Sequence, residues 1–159
     1  MEVYVEPFLP QPELMLVGQG RIAELVAELG RLLHFRVTVN SPGATREDFP
    51  FADQLITDDT DYQKINPGLN SYVIVLTQHK GDQQVIQAAL RGTPRYIGLV
   101  ASAKRSRLVV EYLKEGGMDA NALRQVLRAP CGLDLGGRTP EEIALSIITE
   151  VVKIGRAHV

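Results

Sequence analysis

The stretch Leu14-Met-Leu-Val-Gly18-Gln19-Gly20-Arg21-Ile-Ala23 decides the fold class of this chain. A short apolar run enters a G-x-G turn, and apolar residues at helical spacing follow it, which predicts a strand, a tight turn and a helix. Gly18 allows a sharp turn, Gly20 lets the backbone approach a phosphate, and Ala23 lets the helix pack closely on its strand. The amides and dipole at the start of that helix favour an anion. The alternative is a tight turn that binds nothing.

Short apolar runs alternate with helical periodicity along the rest of the chain. The predicted strands cover residues 35–39, 52–57, 71–77 and 95–100, and helices are predicted over residues 82–90, 103–115 and 121–127 and from residue 139 onward. The clearest boundary is Thr139-Pro-Glu-Glu142, which combines a hydroxyl N-cap, a proline in the first helical position and a glutamate placed to close a capping box. This alternation predicts an α/β, Rossmann-like three-layer fold with a mostly parallel sheet of about five or six strands.

Composition and charge exclude several classes of protein. The 159 residues are 45% hydrophobic and 23% charged, which is ordinary for a soluble globular domain. The net charge of -2 weighs against a nucleic-acid partner. The sequence has no apolar run near the roughly 20 residues that a membrane span needs. A single cysteine, Cys131, rules out an internal disulfide and favours a reducing compartment, so we expect a cytoplasmic protein.

Polar residues follow the predicted strands at the carboxyl ends, where open α/β sheets bind ligands. Asn40 stands where a ribose diol would need an Asp or Glu, which weakens an NAD interpretation, and Arg46 could instead meet a phosphate. Thr77 ends the central predicted strand and His79 follows it, and His79 is either functional or merely exposed. Lys104 lies in the first turn of a helix, where a cation opposes the dipole, so either a bound anion or a solvated basic face explains it.

These positions imply that the candidate ligand-binding residues lie together at one edge of the sheet, the edge formed by the carboxyl ends of its strands. We expect four loops to lie together there: residues 18–21, 40–46, 77–81 and 98–105. The acidic loop Asp58-Asp-Thr-Asp61 raises the possibility of a metal ion. It lacks the glycine and distal glutamate of a calcium loop, so a solvated loop or a helix cap is the favoured interpretation.

A second distinctive segment is Arg128-Ala-Pro-Cys131-Gly-Leu-Asp134-Leu-Gly-Gly137. Three glycines and a proline around Cys131 and Asp134 indicate a loop of unusual geometry. Two interpretations of Cys131 stay open. It is either a small buried apolar residue, or a reactive thiolate that Arg128 or Arg138 favours.

Two motifs of this chain resemble the Rossmann domain of the XdhC/CoxI family: Tyr96-Ile-Gly-Leu-Val-Ala-Ser-Ala-Lys-Arg105 and Arg128-Ala-Pro-Cys-Gly-Leu-Asp-Leu-Gly-Gly-Arg-Thr-Pro-Glu-Glu-Ile143. The second motif is far more specific than the G-x-G turn. The resemblance covers about residues 3–153. It implies an accessory factor that binds molybdenum cofactor, as molybdopterin or its dinucleotide form. Such a factor helps sulfuration of the cofactor with a cysteine desulfurase and delivers it to the apo-enzyme of a molybdenum hydroxylase such as xanthine dehydrogenase.

The candidate cofactor-binding residues lie in the turn, at the strand ends and in the second motif: Gly18, Gln19, Gly20, Arg21, Asn40, Thr77, His79, Lys104, Cys131 and Asp134. A soft thiolate is the kind of ligand that molybdenum, or a sulfur atom in transit to it, needs. Our hypothesis is therefore that Cys131 contacts the cofactor or briefly carries its sulfur, while Asp134 and Arg138 orient the loop. The turn reads G-Q-G-R where the family often has G-A-G-H, and Asn40 stands where an acidic residue is common. Both departures weigh against dinucleotide recognition.

Three functions remain open at this point. The resemblance favours a non-catalytic cofactor chaperone, which we expect to be a homo-oligomer. The alternatives are an NAD(P)-binding oxidoreductase and a protein-interaction domain without a ligand. The oxidoreductase lacks a Tyr-x-x-x-Lys pair and an evident acidic partner for His79.

The chain is predicted to have three parts. Residues 1–13 alternate like a strand and run into a proline-rich linker, as if they belonged to the N-terminal domain that family members usually carry. Residues 14–153 form the Rossmann-like domain. Residues 154–159 interrupt the helical pattern and resemble a translated sequencing adapter, so we expect a non-native tail.

Overall fold

The computed structural model describes residues 1–5, 10–78 and 81–157, and within them six parallel strands form one sheet in the order β3-β2-β1-β4-β5-β6. The elements are β1 (Glu13–Gly18), α1 (Arg21–Leu32), β2 (Arg36–Asn40), β3 (Gln54–Ile56), β4 (Ser71–Leu76), α2 (Asp82–Leu90), β5 (Tyr96–Leu99), α3 (Ala103–Glu115), α4 (Ala120–Val126), β6 (Leu127–Arg128) and α5 (Pro140–Ala157). This strand order is that of dinucleotide-binding Rossmann domains. The predicted fold class is confirmed.

Helices cover both faces of the sheet, because side chains of successive strand residues point to opposite sides. On β1, Leu14 and Leu16 belong to the core that α1 and α5 cover. The alternate residues Met15 and Val17 belong to the core on the other face, which α2, α3 and α4 cover. The strand β4 is buried along its whole length, as expected for a central parallel strand with helices on both sides.

The predicted capping box at the start of α5 is confirmed. The amide of Glu142 donates to Thr139 Oγ1 at 3.1 Å, and the amide of Thr139 donates to Glu142 Oε1 at 3.3 Å. The Thr139 hydroxyl also donates to the same carboxylate, and these hydrogen bonds hold the pKa of Glu142 below its usual value. The helix that begins here packs along α1.

Three predictions about element boundaries are wrong. Residues 1–5 form no strand, and residues 6–9 of the predicted strand lie outside the described residues. Leu127 was predicted to end a helix, but it pairs with Ile97 in the two-residue strand β6. Helix α5 continues to Ala157 instead of breaking at residue 154.

Packing against the sheet explains why α5 continues. Ile154 packs against the core between α5 and the sheet, and a Cβ added at Gly155 would lie 2.8 Å from the Tyr72 hydroxyl of β4. Helix α5 thus stays packed against the sheet beyond the point where its sequence pattern weakens. The origin of residues 154–159, like the role of residues 1–13, stays a prediction.

Candidate functional site

The G-x-G turn lies where the sheet changes direction. Strand β1 pairs with β2 on one side and β4 on the other, and Gly18 is opposite Leu76 of β4. A Cβ added at Gly18 would lie 2.1 Å from the Leu76 carbonyl oxygen, so only glycine fits between these two strand ends. Gly18 and Gly20 also have φ angles of 134° and 110°, which favour glycine.

The start of α1 is open to an anion. Gly20 precedes the helix, and no side chain among the described residues caps its first amides. Uncapped amides at a helix N-terminus carry partial positive charge and form an anion site in outline. Arg21 lies at the same end, where its guanidinium is 3.6 Å from the Glu141 carboxylate; both side chains are about 60% exposed, so this pair is weak and leaves Arg21 able to turn toward a ligand.

Two clefts flank the turn. The first, the β2 cleft, has a volume of about 260 Å³ and is lined by Val17, Gly18, Gln19, Asn40, Ser41, Pro42, Tyr62, Leu76, Thr77 and Gln78. The second, the α3 cleft, has a volume of about 420 Å³ and is lined by Gln19, Gly20, Arg21, Ile22, Leu76, Gln78, Val100, Ala101, Ser102 and Pro140. Both clefts share Gln19, Leu76 and Gln78. The prediction that the loops after β1, β2, β4 and β5 share one edge is therefore confirmed for the described residues.

Asn40 is buried at the end of β2, next to Val17 of β1. Its side-chain Nδ2 donates to Asp59 Oδ2 at 2.7 Å, whereas its Oδ1 has no hydrogen-bond partner among the described residues. Asp59 also accepts the amides of Gln63 and Lys64 at 2.8 and 3.0 Å. The acidic loop thus contains a cap, in agreement with the favoured interpretation, but its central carboxylate is buried against Asn40.

Thr77 is engaged with a buried carboxylate. Its hydroxyl donates to Asp82 Oδ1, and Asp82 Oδ2 lies 3.6 Å from Arg105 Nε. Asp82 is only 1% exposed, so this cluster joins the end of β4 to the starts of α2 and α3. Nearby, burial raises the pKa of the Tyr62 phenol, and the carboxylates of Asp82 and Asp59 raise it further.

Two predicted cations lie away from the clefts. Lys104 is exposed at the start of α3 and is absent from the described residues that line either cleft. Arg46 donates to the carbonyl oxygens of Phe49 and Ala52, so it shapes its own loop, and the expectation that it meets a phosphate is not supported. Ser102 does line the α3 cleft, where its Oγ caps α3 by accepting the Arg105 amide at 3.1 Å.

Cys131 lies beside the end of β5 but outside the described linings of both clefts. Its amide donates to the Leu99 carbonyl oxygen at 2.9 Å. Burial raises the pKa of the Cys131 thiol to about 12, and the negative charge of Glu150 contributes. The expectation that an arginine favours a thiolate is wrong: the Arg128 guanidinium donates to the Arg124 carbonyl oxygen at 3.0 Å, and Arg138 is exposed.

A partly buried set of polar groups surrounds this thiol. The Tyr96 hydroxyl donates to Glu150 Oε1 at 2.6 Å and also interacts with the Cys131 sulfur. The Gly132 amide donates to the same Glu150 oxygen at 3.1 Å. A Cβ added at Gly98 would lie 2.6 Å from the Tyr96 hydroxyl, so the glycine leaves room for this arrangement.

The remaining candidates do not reach the clefts or are not described. Asp134 is exposed, and its Oδ1 accepts the Gly136 amide at 3.1 Å, so it shapes its own loop. His79 lies outside the described residues. Sequence reasoning missed Tyr62 and the contact of Asp59 with Asn40, because no local pattern places a loop residue against a strand nineteen positions away.

The described residues form a parallel sheet in the order β3-β2-β1-β4-β5-β6, and the G-x-G turn opens onto clefts between β1 and β4, where the strand order reverses. These features define a protein of the Rossmann class. The sequence model of the XdhC Rossmann domain matches residues 14–151. The chain belongs to this family.

Known relatives agree with this assignment. The chain is 25% identical over 162 residues to the uncharacterized protein YqeB of Escherichia coli K12, covering 97% of this chain and 29% of that protein. It is 29% identical over 161 residues to a probable xanthine dehydrogenase subunit from Bacillus subtilis 168, covering 95% of this chain and 45% of that protein. It thus spans less than half the length of both relatives.

A solved structure shows the same architecture. The crystal structure of a xanthine dehydrogenase from Bacillus halodurans superposes with a TM-score of 0.80 at 25% identity, covering 94% of this chain and 46% of that one. Family and relatives together link this chain to proteins named for xanthine dehydrogenase. None of the helices in the described part of the chain has the length and apolar character needed to cross a membrane.

Proposed function

We propose that this chain is the cofactor-binding domain of an accessory factor for a molybdenum hydroxylase of the xanthine dehydrogenase type. It binds molybdenum cofactor, assists its sulfuration and delivers it to the apo-enzyme. The observation that carries the proposal is the uncapped start of α1 at Gly20, open to two clefts at the switch point of a chain that belongs to the XdhC family.

The residues at this edge suit a phosphorylated, flat and polar cofactor. The amides that follow Gly20 would hold the phosphate, and Arg21 would add positive charge. The unpaired Asn40 Oδ1 suits an N–H or O–H donor of a pterin or nucleotide, and the Tyr62 ring supplies part of the cleft wall. The cofactor supplies the molybdenum, and the protein supplies binding and orientation.

Other parts of the proposal rest on the resemblance alone. These are the cysteine desulfurase partner and a homo-oligomeric state, whereas the cytoplasmic location is proposed from the single cysteine. A role for Cys131 as a cofactor contact or sulfur carrier stays a prediction. Burial, with a contribution from the charge of Glu150, raises the pKa of this thiol and makes the thiolate scarcer at neutral pH, so sulfur transfer through Cys131 would first require the thiol to become less buried.

The proposal is tested by anaerobic co-purification. The tagged protein is expressed with a molybdenum hydroxylase apo-enzyme, and bound pterin is oxidised and measured by fluorescence. We expect both the hydroxylase and pterin to co-purify with the wild type, and pterin to be lost from Gly20→Val, because its side chain would stand at the anion site.

A matched control separates site loss from backbone strain. Gly117 follows α3 with a φ of 97° and has no neighbouring atom within 4 Å of an added Cβ, so Gly117→Val introduces similar strain without touching either cleft. It should keep its pterin. Wild-type protein that carries neither pterin nor hydroxylase would contradict the proposal, and bound NAD(P) in its place would favour the oxidoreductase. Full pterin content in Gly20→Val would remove the turn from the site.

A further inference from the structure

The side chain of Asn40 is held in one orientation. Asp59 already accepts two backbone amides, from Gln63 and Lys64, and it accepts Asn40 Nδ2 as a third N–H donor. A carboxylate that accepts three N–H groups requires the NH₂ end of the Asn40 amide to face it. The carbonyl end, Oδ1, therefore points away from Asp59.

That carbonyl oxygen is the unusual atom of the site. Asn40 is 1% exposed and lines the β2 cleft, yet Oδ1 has no partner among the described residues. Buried acceptors in folded proteins are nearly always paired, so an unpaired one beside a cleft points to a donor that arrives with a ligand. The neighbouring anion site at Gly20 belongs to the same edge.

The turn that carries Asp59 also shapes the cleft wall. Tyr62 has a φ of 56°, a strained value for a non-glycine residue. The amide of Tyr62 donates to the Asp59 carbonyl oxygen at 3.3 Å, and the Asp59 carboxylate holds the two following amides. One buried carboxylate thus fixes both the Asn40 amide and the turn that brings Tyr62 to the cleft.

We propose that Asp59 is a positioning residue that presents Asn40 Oδ1 to the β2 cleft, and that this oxygen accepts a hydrogen bond from an O–H or N–H group of the bound cofactor. This inference rests on the proposed function, since the phosphate of the same ligand lies at the Gly20 turn. The donor is either a ribose hydroxyl of a nucleotide or a ring or amino N–H of a pterin. Because the Asn40 amide oxygen is uncharged, it favours a ligand that offers a hydrogen-bond donor at this point, whatever the charge of the ligand.

The test uses three probes on the whole protein. Inorganic pyrophosphate reports on the turn alone. ADP and 2′,3′-dideoxy-ADP differ only in the ribose hydroxyls, and the pterin retained after anaerobic purification reports on the other source of the donor. The variants are Asn40→Leu, which removes the acceptor at similar volume, and Asp59→Asn, which replaces the acceptor-only group with one that can also donate.

We expect both variants to bind pyrophosphate like the wild type. If the donor is a ribose hydroxyl, the wild type prefers ADP over its dideoxy analogue by roughly tenfold, and the variants lose that preference. If the donor belongs to a pterin, retained pterin falls by about the same factor. Thr38→Val is the matched control, because Thr38 is a buried polar residue of the same strand whose hydroxyl donates to Glu13, away from the β2 cleft.

Several outcomes would overturn the inference. These are unchanged ADP preference together with unchanged pterin content in both variants, an equal loss in Thr38→Val, or a wild type that binds neither ADP nor pterin. Binding of pyrophosphate by Asp59→Asn shows that this variant keeps the folded G-x-G turn. If Asp59→Asn does not fold, Asn40→Leu tests the inference on its own. A wild type that prefers ADP over its dideoxy analogue, but co-purifies with neither a hydroxylase nor pterin, would contradict the proposed function. The inference about Asp59 and Asn40 would then still stand.

Discussion

The two glycines of the turn meet different surroundings although both have positive φ. A Cβ at Gly18 would lie 2.1 Å from a backbone oxygen, whereas a Cβ at Gly20 would meet, among the described residues, only the side-chain amide of Gln78 at 3.3 Å. We expect Gly18→Ala to lower the free energy of unfolding by about 3 kcal/mol, from overpacking added to backbone strain. Gly20→Ala should cost about 1 kcal/mol, from strain alone. Urea denaturation measures both, and equal losses would contradict the packing argument.

Cys131 offers a second test at the residue scale, because it is the sole cysteine of the chain. Its raised pKa of about 12 predicts slow alkylation by iodoacetamide at pH 8, with the rate rising steeply toward pH 12. Glu150→Gln removes the neighbouring charge and should lower the pKa, so labelling at pH 8 becomes faster. Glu141→Gln, at the exposed start of α5, is the control and should label like the wild type.

The raised pKa of the Cys131 thiol also makes the free energy of unfolding depend on pH. The folded pKa lies above the unfolded value near 8.5, so the contribution of the protonated thiol is complete below about pH 8.5 and is lost as the pH rises toward 12. Denaturation of wild type and Cys131→Ser across this range isolates the effect. Half-maximal labelling of the native protein near pH 8.5 would contradict the buried environment of the thiol.

Among the elements, α5 depends most clearly on its first turn. Thr139 accepts the Glu142 amide and completes the capping box. Thr139→Ala should therefore lower the free energy of unfolding by about 1 kcal/mol, as measured by urea denaturation. Thr149→Ala lies in the interior of the same helix, where alanine has the higher helix propensity, and should not destabilise it. Similar losses in both variants would show that the cap contributes nothing.

At the scale of the whole molecule, Asp82 joins three elements next to the ligand edge. It accepts the hydroxyl of Thr77, the residue after β4, starts α2 and lies beside Arg105 of α3. Asp82→Ala leaves buried polar groups without this partner, and we expect a loss of about 2 kcal/mol in the free energy of unfolding, since Arg105 is partly exposed. Glu111→Ala, on the exposed side of α3, is the control and should change it little. A loss no larger than that of the control would show that the cluster does not hold these elements together.

Much of the fold follows from local patterns. The bounds of α2 and α3, the capping box of α5 and the buried run of β4 were all predicted, because each depends on residues near one another in the sequence. The strand β6 was not predicted, because two residues carry no periodicity. The continuation of α5 past Lys153 was missed for a different reason: Ile154 packs against a core that residues distant in the sequence form.

The sequence by itself determined the class of fold, the family and the position of the G-x-G turn, since these depend on periodicity, glycine spacing and a sixteen-residue motif. Only the tertiary structure decided which side chains meet there. It placed Asp59 against Asn40 and left Oδ1 unpaired among the described residues, and it turned Cys131 toward Tyr96 and Glu150 instead of toward an arginine. Such contacts join residues far apart in the chain, and their burial sets both hydrogen-bond pairing and pKa, which no local pattern encodes.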